Sequence, residues 1–123
     1  MRAYQPDSTP EAAIILLDDE LTESNSPCLW QAAASLLASG SRTLIVDCSH
    51  LQYVSSYGLA ILLRLRKMLV EAVPSSHPLA MALVCPNRQI VDSIHAAELD
   101  SVFVIYRDLD AAVRSCGRHS AVC

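Results

Sequence analysis

Residues 43–69 read TLIVDCSHLQYVSSYGLAILLRLRKML, and this stretch decides the fold. The short β-branched and apolar run from Thr43 to Val46 predicts a buried central strand. We expect a loop over Asp47 to Val54, followed by a helix whose apolar body, Leu59 to Ala72, stops before Pro74. A buried strand, a connecting loop and a long apolar helix form the repeating unit of an α/β domain.

The same unit is predicted on the N-terminal side of this stretch. Ala12 to Leu17 predicts a strand, which we expect the acidic run Asp18-Asp19-Glu20 to end. Ser26 is a candidate N-cap for a helix whose apolar residues recur at helical spacing until Gly40. An edge strand before this unit, antiparallel to the sheet, is predicted over Arg2 to Asp7.

The unit is also predicted on the C-terminal side. The expected elements are a strand over Leu79–Cys85, a helix entered at Pro86-Asn87, a strand over Val102–Tyr106, and a helix with Asp108 as N-cap that ends at Gly117. The complete order is β-β-α-β-α-β-α-β-α. It predicts an α/β fold with a mixed, mostly parallel sheet, one antiparallel edge strand and about four helices.

Length and composition indicate one small domain that does not bind nucleic acid. The 123 residues are 52% apolar and 18% charged, which predicts a single domain over residues 1–123 with a flexible tail at 118–123. The net charge of −4 argues against a phosphate-backbone partner, since such partners require a basic face. The longest apolar runs are shorter than the roughly 20 residues of a membrane span, and no secretory signal is visible. We therefore expect a cytoplasmic protein with no direct membrane insertion.

The chain carries no sequence signature of a metal site or of catalysis. Its five cysteines are an odd number with no C-x-x-C spacing, and its four histidines are dispersed. We expect reduced thiols that serve as packing residues, with no metal and no cofactor. The sequence has no Gly-rich phosphate loop, no nucleophile elbow and no recognisable carboxylate pair, so it predicts a protein that is not an enzyme.

The segment from Asp47 to Gly58 resembles the STAS domain, the fold of anti-anti-sigma factors. In that family a hydrophobic strand and an Asp precede a short loop, and Asp-Ser-Ser-Gly-Leu then opens a long apolar helix. Asp47 and Gly58 stand 11 positions apart, as the family pattern requires. Two positions differ, because Ser55 replaces the Asp of the motif and Tyr57 replaces its second Ser.

The resemblance implies an anti-sigma factor antagonist that works by partner switching. Such a protein, when unphosphorylated, binds an anti-sigma factor that is also an ATP-dependent serine kinase. This binding releases the sigma factor, and phosphorylation of the antagonist reverses it. The resemblance implies Ser56 as the phosphoacceptor, with Ser55 as the alternative, and a partner-binding set of Ser55, Ser56, Tyr57, Gly58 and Leu59. A Ser at a helix start also suits phosphate physically, because free backbone N–H groups surround it. Either Ser could instead serve simply as an N-cap.

Two features of the predicted second helix bear on partner binding. Arg64, Arg66 and Lys67 form a basic cluster that is either a solvated face or a docking contribution toward an acidic partner surface. We expect a small residue to be required at Gly58 because it lets a partner backbone approach Ser56. On that reasoning Gly58→Ala would keep or raise stability, since Ala is the better helix former.

Two other functions remain open at this stage. STAS domains also serve as structural subunits of lipid-transporting ABC complexes, and the apolar second helix with Leu29-Trp30 would suit that role equally well. The second is a receiver-like phosphorelay protein, with Asp18 and Asp19 as the acidic pair and Asp47 as the acceptor. Only 29 positions separate Asp18 from Asp47, which is too short for a receiver.

Overall fold

The computed structural model describes residues 2–4, 12–40, 43–72, 81–85, 87–99 and 103–114. The elements in chain order are β1 (Arg2–Tyr4), β2 (Ala12–Leu21), α1 (Ser26–Ala38), β3 (Thr43–Val54), α2 (Ser56–Ala72), β4 (Met81–Val84), α3 (Arg88–Ala96), β5 (Val104–Tyr106) and α4 (109–114).

The strands form one five-stranded sheet in the order β1-β2-β3-β4-β5. β1 pairs antiparallel with β2, while β2, β3, β4 and β5 are mutually parallel. A helix lies between each pair of consecutive parallel strands, as a parallel crossover requires. The predicted fold class is therefore confirmed: an α/β fold with a mixed, mostly parallel sheet, one antiparallel edge strand and four helices.

The parallel strands are covered on both faces. A larger hydrophobic core lies on one face of the sheet and a smaller one on the other. The consecutive β2 residues Ile14 and Ile15 point to opposite faces, so Ile15 joins the larger core and Ile14 the smaller one, and both are fully buried. α1, α2 and α3 contribute to the larger core, whereas Ala112 of α4 contributes to the smaller one. The buried helix residues of the larger core are Leu29, Ala33, Ile61, Leu62, Leu65, Leu69, Ile90 and Ile94.

β2 and β3 are longer than the sequence predicted. β2 continues through the acidic run to Leu21, and β3 includes the segment 47–54 that was expected to be a loop. The pairing survives because its register shifts at two irregular positions, next to Asp18 and between Asp19 and Glu20, where Asp19 adopts φ 58°. Beyond the irregularity, buried Leu21 pairs with Val54 and anchors the extended strands.

The helix starts agree with the sequence in part. Asp108 accepts a hydrogen bond from the N–H of Ala111 and is an N-cap as predicted. Asn87, expected only at the entry of its helix, accepts a hydrogen bond from the N–H of Gln89 and is the N-cap of α3. The prediction that Ser26 caps α1 is wrong. Asn25 occupies the cap position, and Ser26 is buried as the first helical residue, where its hydroxyl donates to the carbonyl of Thr22 at 2.6 Å.

Several predicted features lie outside the described residues. They include the C-terminal part of the first strand, the starts of the strands expected from Leu79 and Val102, Pro86, the helix stop at Gly117, and the tail at 118–123. Of the described cysteines, Cys28 is exposed and free, while Cys48 and Cys85 are buried and free in or beside neighbouring strands. Hydrogen bonding to the Cys85 thiol, together with burial, raises the pKa of Cys48 well above the usual thiol value.

Candidate functional site

The candidate site lies at the carboxyl edge of the parallel sheet. β2, β3 and β4 all end there, and each is followed by a helix. In open α/β sheets this edge is where binding residues commonly gather, because the connecting segments are exposed while the strands hold them in place. The junction between β3 and α2 carries the serines that the sequence singled out.

Ser55 is the N-cap of α2. Its carbonyl accepts the first helical hydrogen bond, from the N–H of Leu59 at 2.9 Å, and its hydroxyl oxygen accepts one from the N–H of Gly58 at 3.0 Å. Its own N–H donates to the carbonyl of Leu21 at 3.0 Å. The residue is half-buried. Because of these hydrogen bonds, both its backbone and its hydroxyl hold the start of the helix.

Ser56 is the first helical residue, and its side chain is exposed. Its hydroxyl has no hydrogen-bond partner within the described part of the chain, and neither do the N–H groups of Ser56 and Tyr57. The first turn of α2 contains no acidic residue. The arrangement therefore offers a free hydroxyl beside free N–H groups at the positive end of a helix, a setting that favours a phosphate group.

Gly58 is buried at the junction, and its small size is explained by packing within the chain. A Cβ atom there would lie 2.5 Å from the carbonyl oxygen of Leu21 and 3.0 Å from side-chain carbons of Leu21 and Val54. The short distance to a backbone oxygen predicts that Gly58→Ala lowers stability, which is the opposite of the expectation from the sequence. The glycine lets the first turn of α2 approach the end of β2, a requirement that outweighs the better helix propensity of Ala.

The five residues expected to bind a partner differ in accessibility. Ser56 and Tyr57 are exposed, Ser55 and Leu59 are half-buried, and Gly58 is buried. Leu59 packs against the larger core. Direct contact with a partner is thus open to Ser56 and Tyr57, whereas the other three shape the surface on which these two stand.

Sequence reasoning missed Tyr53 as a site residue. Tyr53 lies in β3 three positions before Ser56 and is 55% exposed, while Tyr57, which follows Ser56, is 46% exposed. Tyr is enriched at protein interfaces, so two exposed Tyr side chains close in sequence to an exposed hydroxyl suit a binding surface. The sequence Tyr-Val-Ser-Ser-Tyr contains both aromatic residues. Because residues 47–54 were expected to form a loop, the position of Tyr53 at an exposed site of a strand was not predicted.

The structure contradicts the receiver-like alternative. Asp47 is buried, and its carboxylate accepts hydrogen bonds from the N–H and the hydroxyl of Ser49, so it holds the backbone of β3 and is not an accessible acceptor. The parallel strands also follow one another in simple sequence across the sheet. A receiver domain has the order 2-1-3-4-5 instead.

Within the described ranges, no three His, Cys, Asp or Glu side chains are grouped so that they could hold a metal ion. No helix in the same part of the chain is long and apolar enough to cross a membrane.

Comparison with protein families decides the identity of the domain. The STAS domain model matches residues 3–112, which include the five described strands except Arg2 and most of α4. The chain belongs to the STAS domain family. The resemblance inferred from the segment between Asp47 and Gly58 is thereby confirmed. No curated protein sequence matches the chain significantly.

Several solved structures have the same fold. TM1081 of Thermotoga maritima has a TM-score of 0.78 and 18% identity, over 94% of this chain and 92% of that one. An anti-sigma factor antagonist from Mycobacterium paratuberculosis has a TM-score of 0.72 and 24% identity, over 92% of each chain. The anti-sigma factor antagonist SpoIIAA of Bacillus, unphosphorylated, has a TM-score of 0.71 and 19% identity, over 94% of this chain and 97% of that one. This STAS domain thus shares its fold with anti-sigma factor antagonists.

Proposed function

We propose that this STAS domain is an anti-sigma factor antagonist controlled by phosphorylation of Ser56. In this proposal it binds an anti-sigma factor with serine kinase activity in the bacterial cytoplasm, which frees the sigma factor for transcription. Phosphate transfer from ATP to Ser56 ends the binding. The chain is then a ligand and substrate of the kinase and supplies no catalytic residue, metal or cofactor of its own.

The observation that carries the proposal is the division of labour between the two serines. The hydroxyl of Ser55 is occupied as the N-cap acceptor for Gly58, whereas the hydroxyl of Ser56 is exposed and has no described partner. A kinase requires an acceptor hydroxyl that it can reach, and only Ser56 meets that requirement without breaking the helix start. Ser56 is therefore favoured over Ser55 as the phosphoacceptor.

The same geometry accounts for the first departure from the family pattern. Ser55 stands where the motif has Asp, and both residue types are strong N-caps because each has a side-chain oxygen that accepts from the first-turn N–H groups. The exchange thus keeps the capping function while removing one negative charge beside Ser56. Among proteins with this fold, SpoIIAA has been solved in both unphosphorylated and phosphorylated forms, which supports a phosphate switch here.

The physical basis of the switch is charge placed on an interface. A phosphoserine adds roughly −1.5 to −2 charges at neutral pH. If the partner packs against the neutral hydroxyl of Ser56 and the ring of Tyr57, that charge must be desolvated or the contact must open. One covalent change therefore converts a binding surface into a repelling one.

The test begins with a tagged copy of the protein expressed in its native cell, which captures the tightest partner. That partner, purified and supplied with ATP, is incubated with wild type, Ser55→Ala and Ser56→Ala, and the products are mapped by mass spectrometry. We expect phosphate on Ser56 in wild type and in Ser55→Ala, and none in Ser56→Ala. Modification that persists in Ser56→Ala and vanishes in Ser55→Ala would move the site to Ser55.

Binding measurements with the same partner complete the test. Ser56→Ala should bind like wild type, whereas Ser56→Asp should bind roughly 100-fold more weakly, equivalent to about 2.7 kcal/mol. A partner that is an ATPase with a permease, and that binds without modifying either Ser, would contradict the switch. That result would assign the protein to a scaffold role in a lipid-transporting ABC complex.

A further inference from the structure

A groove of about 660 Å³ lies between α1 and α2 on the surface of the larger core. Its apolar lining is formed by Pro27 and Trp30 of α1 and by Tyr57, Ile61 and Met68 of α2. Trp30 and Met68 are only partly buried, and Tyr57 is 46% exposed. Partly exposed apolar side chains thus line one open groove between the two helices.

The groove is long enough to hold a helix. The α2 residues that line it extend from Tyr57 to Glu71, a rise of about 21 Å at 1.5 Å per residue. They recur every three or four positions, so they form one stripe along α2 that faces α1. A partner helix of about 15 residues has the same length. An exposed groove with such a stripe suits the mode in which an amphipathic helix is bound by its apolar face.

The charges at the groove define the polar face of its occupant. Arg64 and Lys67 line the groove and are exposed, with Glu71 as the acidic residue of the lining. Neither cation forms an ion pair with another residue of the described ranges. Two cations against one carboxylate form a local positive patch on a chain of net charge −4. Such a patch attracts an acidic segment, while the overall charge opposes an anionic membrane surface.

We propose that the groove between α1 and α2 binds an acidic amphipathic helix of the partner protein. The apolar face of that helix packs on Trp30, Ile61 and Met68, and its carboxylates approach Arg64 and Lys67. This surface lies outside the set Ser55 to Leu59 except at Tyr57, so it is a second docking contact.

The groove is placed so that phosphorylation would act on it. Tyr57 lines the groove and directly follows Ser56, so the bound helix passes the phosphoacceptor. A phosphate at Ser56 would add negative charge within a Debye length of an acidic helix and weaken its binding. This coupling rests on the proposed function, whereas the groove can be tested on the isolated protein without any kinase.

Trp30 provides a direct readout, because it is the single tryptophan of the chain and lines the groove. The probe is a synthetic helical peptide of about 15 residues with Leu on one face and Glu on the other, matched by a peptide with Lys in place of Glu. Titration with the Glu peptide should shift the Trp30 emission to shorter wavelength, with a dissociation constant on the order of micromolar. The Lys peptide should bind at least about tenfold more weakly.

Charge-reversal variants locate the contact. The double variant Arg64→Glu, Lys67→Glu should weaken binding of the Glu peptide by about tenfold or more. Arg66→Glu makes the same change on α2 at a residue that does not line the groove, and it should change binding by less than about twofold. Ser56→Asp should weaken binding by about threefold to tenfold.

The proposal is overturned if the Glu peptide leaves the Trp30 emission unchanged, or if the two peptides bind equally. Undiminished binding to the double variant would also overturn it. If phosphatidylglycerol vesicles shift the Trp30 emission and the Glu peptide does not, the groove would be assigned to a membrane. Self-association that buries Trp30 would assign it to a second copy of the chain. Failure of the kinase reaction would remove the proposed switch while leaving a positive peptide result in place.

Discussion

The carbonyl oxygen of Leu21 lies 2.5 Å from the position that a Cβ atom on Gly58 would occupy. The same oxygen accepts the backbone hydrogen bond of Ser55 at 3.0 Å. Leu21 ends β2 and Gly58 lies in the first turn of α2, so one carbonyl fixes the chain on both sides of Ser56. The exposed hydroxyl therefore stands on a junction that is hydrogen-bonded to the end of β2 and packed against it.

Gly58→Ala should destabilise the protein because the added methyl group overlaps the Leu21 carbonyl. Overpacking of this kind costs about 1 to 3 kcal/mol, and the gain of roughly 1 kcal/mol in helix propensity offsets only part of it. Urea denaturation measures the difference. The control is Ala60→Ser, at an exposed position on the same helix, which should change stability by less than about 0.5 kcal/mol. An unchanged or raised midpoint for Gly58→Ala would show that β2 can move away at no cost.

The two serines should respond differently to the same substitution. Ser55→Ala removes the hydroxyl that accepts from the N–H of Gly58, and loss of an N-cap costs about 1 kcal/mol. Ser56→Ala removes an exposed hydroxyl with no described partner, so it should change stability by less than about 0.5 kcal/mol. Thermal unfolding of the two variants under identical conditions checks this. Equal losses would contradict the assignment of Ser55 as the cap.

The strands that pack on both faces could be predicted from the sequence, but their lengths could not. Residues 44–46 and 81–84 are continuous apolar runs, the pattern of a strand buried between helices. The ends of β2 and β3 are polar, and they remain strands because they pair with each other across an irregular register. Pairing between distant segments is a tertiary effect that local composition does not reveal.

The position of the candidate site could be predicted, whereas the roles within it could not. Ser55, Ser56 and Gly58 stand together in the sequence, so any helix that starts there brings them to one end. Which Ser caps the helix depends on one residue of register, and the reason for Gly58 depends on Leu21, which is 37 positions away. The groove beside α1 could not be foreseen either, because it depends on how two helices lie against the sheet.

Stability should fall at alkaline pH because of Cys48. The hydrogen bond of Cys48 with the neighbouring Cys85 thiol, together with burial, raises the pKa of Cys48 in the folded state. Below about pH 8.5, the ordinary pKa of a thiol, both the folded and the unfolded states are protonated and stability is unaffected. Above it the unfolded state loses the proton that the folded state keeps, so stability declines by at most about 1.4 kcal/mol per pH unit.

Urea denaturation between pH 7 and pH 10 measures this decline, with Cys48→Ala as the comparison. The variant should be less stable at every pH, because a cavity is left, but its stability should depend less on pH. Parallel slopes in wild type and variant would contradict the role of Cys48. Cys28, which is exposed, should react with a thiol reagent at neutral pH long before Cys48 does.

Asn87 should couple α3 to the extended part of β3. Its side-chain oxygen accepts from the N–H of Gln89 at 2.9 Å, and its amide group donates to the carbonyl of Leu51 at 3.1 Å. Asn87→Ala loses both bonds and should cost about 2 kcal/mol, whereas Asn87→Asp keeps the cap and loses only the donor, which should cost about half as much. Urea denaturation ranks the three proteins. Equal losses for Ala and Asp would mean that the cap contributes nothing.

Ser56→Asp should stabilise the isolated protein even though we expect it to weaken partner binding. The first turn of α2 has no acidic residue, so a carboxylate at Ser56 would interact favourably with the positive end of the helix. The gain should be about 0.3 to 1 kcal/mol at low ionic strength and should diminish in 1 M salt, where the screening length falls to roughly 3 Å. Ala60→Asp, one turn further along, should give little gain, because the effect is confined to the first turn. A stable Ser56→Asp that no longer binds its partner would attribute the loss to charge at the interface, whereas a destabilised one would attribute it to damage at the junction with Leu21.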